Sequence, residues 1–151
     1  MVIKEVLRVH PPGPLIPCRT RQDCNIMGHE ILKDTNVFIN IFSISRDPQY
    51  WDNPEEFHPD RFADNNVDYN GTCFEFTPFG GGRRKCPGVA FAMSILEITL
   101  ANLLYHFDWT LPGGASSVSL DMSEKFGVSV RRGSSLWLKA IPHICSHATH
   151  I

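Results

Sequence analysis

The sequence contains no Cys-x-x-Cys pair, no internal repeat, no long low-complexity tract and little net charge, and each absence removes a class of protein. Its cysteines, at 18, 24, 73, 86 and 145, fit neither a zinc ribbon nor a thioredoxin-type dithiol, and their odd number argues against a complete disulfide framework. A reducing compartment is the simpler reading. The formal charge of -2 gives no general reason to expect a polyanionic partner. The opening "MVIKEVLRVHPP" has neither the apolar core of a secretory signal nor the length of a membrane span.

What is present suffices for one packed domain of 151 residues and not for two. Proline and glycine, 11 of each, fall between short apolar pieces, which predicts an irregular fold with many defined turns rather than a helix bundle. Met1, Val2, Ile3, Val6 and Leu7, with Lys4, Glu5 and Arg8 between them, predict a helix ended by Pro11-Pro12. A chain that opens partway through a helix reads as a fragment. Strands are predicted near 14–19, 25–31 and 36–40, forming one small sheet, with hairpin chemistry around Lys33 to Asn36. Pro48, Pro54 and Pro59 limit the next stretch to a short helix near 41–46 and a turn near 54–57.

Residues 63–77 read as an ordered loop with an Asn70-Gly71 turn, anchored at its far end by Phe74, Phe76 and Phe79. The run "GVAFAMSILEITLANLLYHF" after Pro87 is the longest helix candidate. Polar positions on more than one of its turns make a buried helix a better reading than a membrane span. Pro112-Gly113-Gly114 ends it. Farther on, "FGVSV" and "LWLKA" flank "RRGSS" as a hairpin, with Phe126, Val128 and Val130 alternating on one face.

The chemistry is concentrated in 78–88, "PFGGGRRKCPG": consecutive glycines, three cations and one cysteine before a Pro-Gly step. Glycines permit backbone bends and close approaches that side chains block. Cys86 precedes a helix whose first N–H groups lack partners, and Pro87 suits the first helical position. The sulfur can then be a nucleophile, a redox thiol or a metal ligand. A nucleophile needs a base that the fold alone could bring from His58 or His106, zinc needs three or four ligands, and a phosphate loop needs Ser or Thr after its lysine, where Cys86 follows Lys85. A flat macrocycle that supplies most of its own metal ligands asks the protein for one axial donor, and arginines can pair with its carboxylates.

"FGGGRRKCPG" at 79–88 resembles the cysteine-ligand loop of the cytochrome P450 family, F-x-x-G-x-R-x-C-x-G, at Phe79, Gly82, Arg84, Cys86 and Gly88. Two further motifs of that family occur in order, Glu5-Val6-Leu7-Arg8 as E-x-x-R and Pro59-Asp60-Arg61-Phe62 as its proline-arginine motif. The resemblance covers residues 1–140, leaves 141–151 as a tail, and is nearest in style to plant microsomal members. It implies a mixed α and β fold, mainly α in the complete family, of which this chain is the C-terminal portion.

The resemblance further implies haem b (iron protoporphyrin IX) as cofactor, Cys86 as the metal ligand, Arg84 and Arg19 at its propionates, and Phe79, Gly80, Gly82 and Gly88 completing the cofactor-binding set. Glu5, Arg8 and Arg61 would form a buried charge network that braces the core, and no side chain is assigned a catalytic role. Arg83 and Lys85 would face an acidic reductase. Segments 12–18 and 126–128, with Leu15, Ile16 and Phe126, would line part of a substrate pocket, although each equally fits core packing. A complete relative is a monooxygenase of the endoplasmic reticulum membrane that takes a small apolar organic substrate and electrons from NADPH through NADPH-cytochrome reductase. Without an anchor of its own, the chain would be cytoplasmic if expressed alone. The alternative is a truncated noncatalytic haem-binding or remnant protein; a nucleic-acid module is disfavoured by the net charge. Cys18, Cys24 and Cys73 read as fillers of small, partly buried sites, His10 as part of a turn, and "HICSHATH" with Cys145 as no native metal site.

Overall fold

In the computed structural model, which describes residues 1–125, 127 and 129–143, the first helix, α1 (Val2–Val9), buries Leu7 and Val9 together with two charged residues, Glu5 and Arg8. His10 N–H still bonds to Val6 O at 2.8 Å, and Pro11-Pro12 allow nothing further. Strand β1 (Leu15–Arg19) runs antiparallel to β4 (Asn36–Asn40), from Leu15 opposite Asn40 to Arg19 opposite Asn36. Between them β2 (Cys24–Ile26) and β3 (His29–Ile31) form a second, separate ladder. The single strand and single sheet expected from the sequence are therefore two hairpin-like ladders.

The break lies at Met27 and Gly28, whose φ values of 52° and 86° make the two-residue turn that matches strand twist. Asn25 Oδ1 accepts from Gly28 N at 2.9 Å and fixes it. Lys33–Asn36, where the hairpin was expected, instead holds a turn with Asp34 at φ 65° that joins β3 to β4 without pairing them. Helix α2 (Ile41–Ile44) is capped by Asn40, whose side chain accepts from Ser43 N at 3.0 Å. A 3-10 turn, Pro59–Phe62, follows.

Trp51, Phe62 and Phe76 are buried against one another with ring centroids 5.3 to 6.2 Å apart, and with Leu7, Val9 and Ile41 they make the core of this first unit, which spans Met1–Pro87 and the described residues of 127–130. Arg8 lies inside it at 0% exposure with its guanidinium 5.2 Å from the Trp51 ring. Its five N–H donors are all used: Nε and Nη2 to the Glu5 carboxylate at 2.8 Å each, Nη1 to Ser45 O at 2.8 Å and Pro54 O at 2.7 Å, and Nη2 to Glu56 O at 3.0 Å. Glu5 Oε1 also accepts from His58 N at 2.8 Å and Arg61 Nε at 3.1 Å. Burial alone pushes the Glu5 carboxyl up, but the hydrogen bonds from Arg8 and His58 N–H and the charges of Arg8 and Arg61 together outweigh it and hold the group below the usual glutamate value.

The second unit begins at Gly88 and takes in residues to 125 and from 131 onward. Helix α3 (Val89–His106) is as long as its sequence predicts, yet only Val89 and Met93 are buried. Phe91, Ile95, Leu96, Ile98, Leu103, Leu104 and Tyr105 are exposed, so the expectation of a buried helix is not met. Apolar side chains occupy all sides of α3, and the short strands of its own unit offer too little surface to cover it. By length and composition it is the helix, among those described, able to cross a membrane.

β5 (Phe107–Thr110) follows α3 directly and pairs antiparallel with β8 (Lys139–Pro142), while β6 (Glu124–Lys125) pairs with β7 (Arg131–Arg132). The expected pairing of "FGVSV" with "LWLKA" does not form among the described residues. Lys139 and Ala140 lie instead opposite Thr110 and Trp109, a long-range choice that local alternation does not encode. Phe126 and Val128, whose alternation motivated that hairpin, lie outside the described residues.

His143 closes this ladder. Its Nε2 is 3.0 Å from Asp108 Oδ2, its Nδ1 is 3.0 Å from Tyr105 O, and its N–H donates to His106 O at 2.8 Å. Acceptors at both ring nitrogens favour the doubly protonated imidazolium. The hydrogen bond to Asp108 raises the His143 pKa above its usual value; loss of solvation opposes it, and the Asp108 charge and the Tyr105 carbonyl add to the rise. The clamp's contribution to stability is thus complete below the ordinary histidine value and is lost as pH rises through the higher folded one. In an NMR titration, Asp108→Asn is expected to bring the His143 midpoint down; an unmoved midpoint would exclude the pair as its cause.

Candidate cofactor site

The cysteine loop grows from a buried footing. Phe76, at 0% exposure, donates its N–H to Cys73 O at 3.0 Å, Thr77 beside it is also buried, and Gly80 N–H returns to Thr77 O at 2.9 Å. Gly80 and Gly82 have φ of 72° and 65°, the left-handed region where any other residue is strained. Gly82 opens a 3-10 turn, Gly82–Arg84, and Cys86 N–H bonds back to Phe79 O at 3.0 Å, closing the loop. The Cys86 side chain is left exposed beyond that closure.

Two neighbours shape the loop from outside. A Cβ at Gly80 would lie 3.5 Å from Ile16 Cδ1, an ordinary packing distance to β1. The Asn70-Gly71 turn approaches more closely: at Gly71, φ 81°, a Cβ would be crowded, 3.1 Å from Gly81 Cα and 3.2 Å from Gly80 O. Beside it the Tyr69 ring meets Phe79 edge-on at 6.0 Å. Gly71→Ala combines positive-φ strain with backbone crowding, so it is expected to cost about 1–3 kcal/mol. Chemical denaturation measures that cost, and a loss below a few tenths would show that the turn can move away.

A cavity of about 830 Å3 opens beside the loop, lined by Ile16, Pro17, Cys18, Arg19, Arg21, Asn36, Arg83 and Arg84. Four cations and no carboxylate line it. Arg19 and Arg84 thus share one space, but Arg19 Nε also lies 3.4 Å from Asp34 Oδ1 and donates to Asp34 O at 3.2 Å. That pair is largely exposed, so it holds Arg19 weakly. Ile16 lines the cavity, whereas Leu15 does not and is half exposed. Cys18 is an exposed lining residue rather than the packed filler expected, because it borders the open cavity; Cys24 and Cys73 are partly buried as expected. Gly88 is the residue before α3, with φ -87°.

Sequence reasoning named neither Arg21 nor the packing of Tyr69 and Gly71 on the loop. The Asn-Gly turn was legible, but not what it would touch. Phe126, Val128 and Cys145 lie outside the described residues. Among the described residues no group of three or more His, Cys, Asp or Glu could hold a metal ion, so a metal here would need a cofactor that brings most of its own ligands.

A profile of the cytochrome P450 family matches residues 1–135. The chain belongs to the cytochrome P450 family. It is 50% identical over 145 residues to ent-isokaurene C2/C3-hydroxylase of Oryza sativa subsp. japonica, covering 95% of this chain and 28% of the relative. With desmethyl-deoxy-podophyllotoxin synthase of Sinopodophyllum hexandrum it shares 52% over 139 residues, 91% of this chain and 27% of that one. A zebra fish cytochrome P450 solved with abiraterone superposes with a TM-score of 0.81 at 32% identity, covering 94% of this chain and 32% of the other. The chain thus spans less than a third of the length of these relatives.

Membership implies haem b as the cofactor, and the site fits it. Cys86 and Cys18 are both exposed, and of the two Cys86 stands on the glycine-bent loop that could pass close to a flat ring; the cavity beside it is lined by four arginines and no carboxylate, which suits two propionates. The mixed α and β architecture is that of the matching part of the P450 fold.

Proposed function

We propose that this chain forms the cysteine-ligand side of a haem-thiolate monooxygenase, in which Cys86 Sγ would hold the haem iron. The observation that carries the reading is the exposed Cys86 at the closure of a glycine-bent loop whose Arg84 lines an arginine-rich cavity. The Cys86 N–H to Phe79 O bond holds the backbone that carries the sulfur, and Phe79, packed on Tyr69, would screen the sulfur from water once haem is bound. Arg84 and Arg19 would hold the two propionates, and the exposed contact of Arg19 with Asp34 is weak enough to give way to such a partner. Gly80 and Gly82 give the ring access to the loop, and Gly88 leads the chain away into α3.

When bound, the haem supplies the oxygen chemistry: one atom of O2 enters a small apolar organic substrate and the other leaves as water, with electrons from NADPH delivered by its reductase. Arg83 and Lys85 offer positive charge that steers the acidic reductase towards the loop. Ile16 presents an apolar surface in the cavity. The activities of the relatives, hydroxylation of ent-isokaurene among them, support an organic substrate of that kind. Placement at the endoplasmic reticulum membrane is proposed only by analogy with full-length microsomal relatives.

A second reading, haem binding without turnover, is favoured by the chain's coverage of less than a third of its relatives. Titrating the purified chain with haem and recording the reduced, carbon monoxide-bound spectrum tests the shared step. The red-shifted thiolate band is expected; no uptake rejects haem binding by this chain. Oxygen incorporation into substrate with reductase and NADPH then separates the monooxygenase from the haem carrier.

A further inference from the structure

The turn that buttresses the cysteine loop carries the chemistry for its own covalent change. Asn70 is the sole asparagine of the sequence followed by glycine, and it is exposed. Gly71 N–H, the nucleophile nearest to its side-chain carbonyl in the chain, has no hydrogen-bond partner among the described residues. The missing Cβ of Gly71 leaves that nitrogen unhindered. Asp68 Oδ2 accepts from Asn70 Nδ2 at 2.5 Å and keeps the amide beside its own turn.

We propose that Asn70 is a deamidation site whose conversion loosens the loop presenting Cys86. The consequence for the cofactor rests on the function proposed above; the chemistry at Asn70 does not. Gly71 N bonds to Asn70 Cγ, the Cγ–Nδ2 bond breaks, and Nδ2 departs as ammonia with the proton that Gly71 N gives up, leaving a cyclic succinimide. Water then adds to one of the two ring carbonyls. Breaking the bond from Cγ to Gly71 N yields aspartate; breaking the bond from the original backbone carbonyl carbon yields isoaspartate. Water is the only co-reactant, and no electrons are exchanged.

Isoaspartate routes the main chain through the side chain and so adds a carbon between residue 70 and Gly71. The added length falls between two tight contacts. On one side the Tyr69 ring rests on Phe79, whose carbonyl holds the Cys86 N–H. On the other, Gly71 is so close to Gly81 that even a Cβ would stand 3.1 Å from its Cα. Both contacts cannot survive the insertion, and losing either removes a support from the loop that aims Cys86.

The test ages the full chain at mildly alkaline pH and maps its peptides by mass. Asn70 is expected to convert about tenfold or more faster than any other asparagine, since only its neighbour lacks a side chain. Isoaspartate is expected to exceed aspartate, and the Asn70→Gln chain to resist. Hydrogen exchange of the Cys86 amide is expected to accelerate about tenfold in the aged chain and to stay unchanged in aged Asn70→Gln. Conversion at Asn70 no faster than elsewhere overturns the proposal, and so does conversion that leaves Cys86 exchange unaltered. Neither measurement requires haem, so failure of the chain to take up haem defeats the proposed function without touching this result.

Discussion

Replacing Arg8 by alanine is expected to destabilise the first unit by about 3–5 kcal/mol, as measured for buried ion pairs that lose one partner. The loss is large because the change strands several groups at once. Glu5 remains buried with two of its hydrogen bonds gone, the carbonyls of Ser45 and Pro54 lose the guanidinium, and that of Glu56 keeps only a longer bond from Arg61 Nη2 at 3.4 Å. Against a total stability of about 5–15 kcal/mol, that is a large share of the margin. Arg8→Lys keeps the charge but cannot reproduce five donors in a planar fork, so it is expected to recover only part of the loss. Urea midpoints of the two variants measure both effects; an Arg8→Ala chain within about 0.5 kcal/mol of the parent would remove the network from the account of the core. The same network sets an acid limit. Because Glu5 is held below the usual carboxylate value, its stabilisation is present at neutral pH and is lost as pH falls beneath the ordinary glutamate range and through the folded value. Glu5→Gln should flatten that acid slope.

Cys86→Ala is expected to have the opposite profile, a near-silent change in the apoprotein and a severe one in the loaded protein. Cys86 is exposed, and its structural bond, from backbone N–H to Phe79 O, survives the substitution. Stability should therefore move by no more than about 0.5 kcal/mol. Changes to residues that merely support a metal ligand cost about 10–100-fold in affinity, so removal of the ligand itself should cost more and abolish the thiolate band. Equal haem affinity and an unchanged spectrum in the variant would show that another group holds the iron.

The parts of the site that could be read in advance are those written in consecutive residues. Phe79, Gly82, Arg84, Cys86 and Gly88 fall within one short segment, so a bent backbone, a cation and a sulfur are forced to be neighbours whatever the rest of the chain does. The helices α1 and α3 were legible for the same reason, since their pattern and their proline or glycine punctuation are local. Pairings across the chain were not. β8 joins β5 rather than the segment before "RRGSS", and Gly28 splits one apolar stretch into two strands, because alternation says which face is apolar and not which partner takes it.

Glu5 and Arg8 mark the boundary between the two kinds of information. Their spacing determined that they share a helix face, and the residue types determined that they could pair. Only the tertiary structure decided that they are fully buried, that Arg61 and the His58 amide complete the carboxylate's bonds, and that backbone carbonyls from three other residues use up the guanidinium. The same division holds at the cysteine loop: the sequence by itself determined that one sulfur, the proposed ligand, and its glycine bends share a short segment, while folding decided that Arg19 and Arg21 join Arg84 around one cavity and that Gly71 lies against Gly81. The physical reason is range. Backbone conformation and capping act over a few residues, whereas burial and charge compensation depend on atoms brought together from distant parts of the chain.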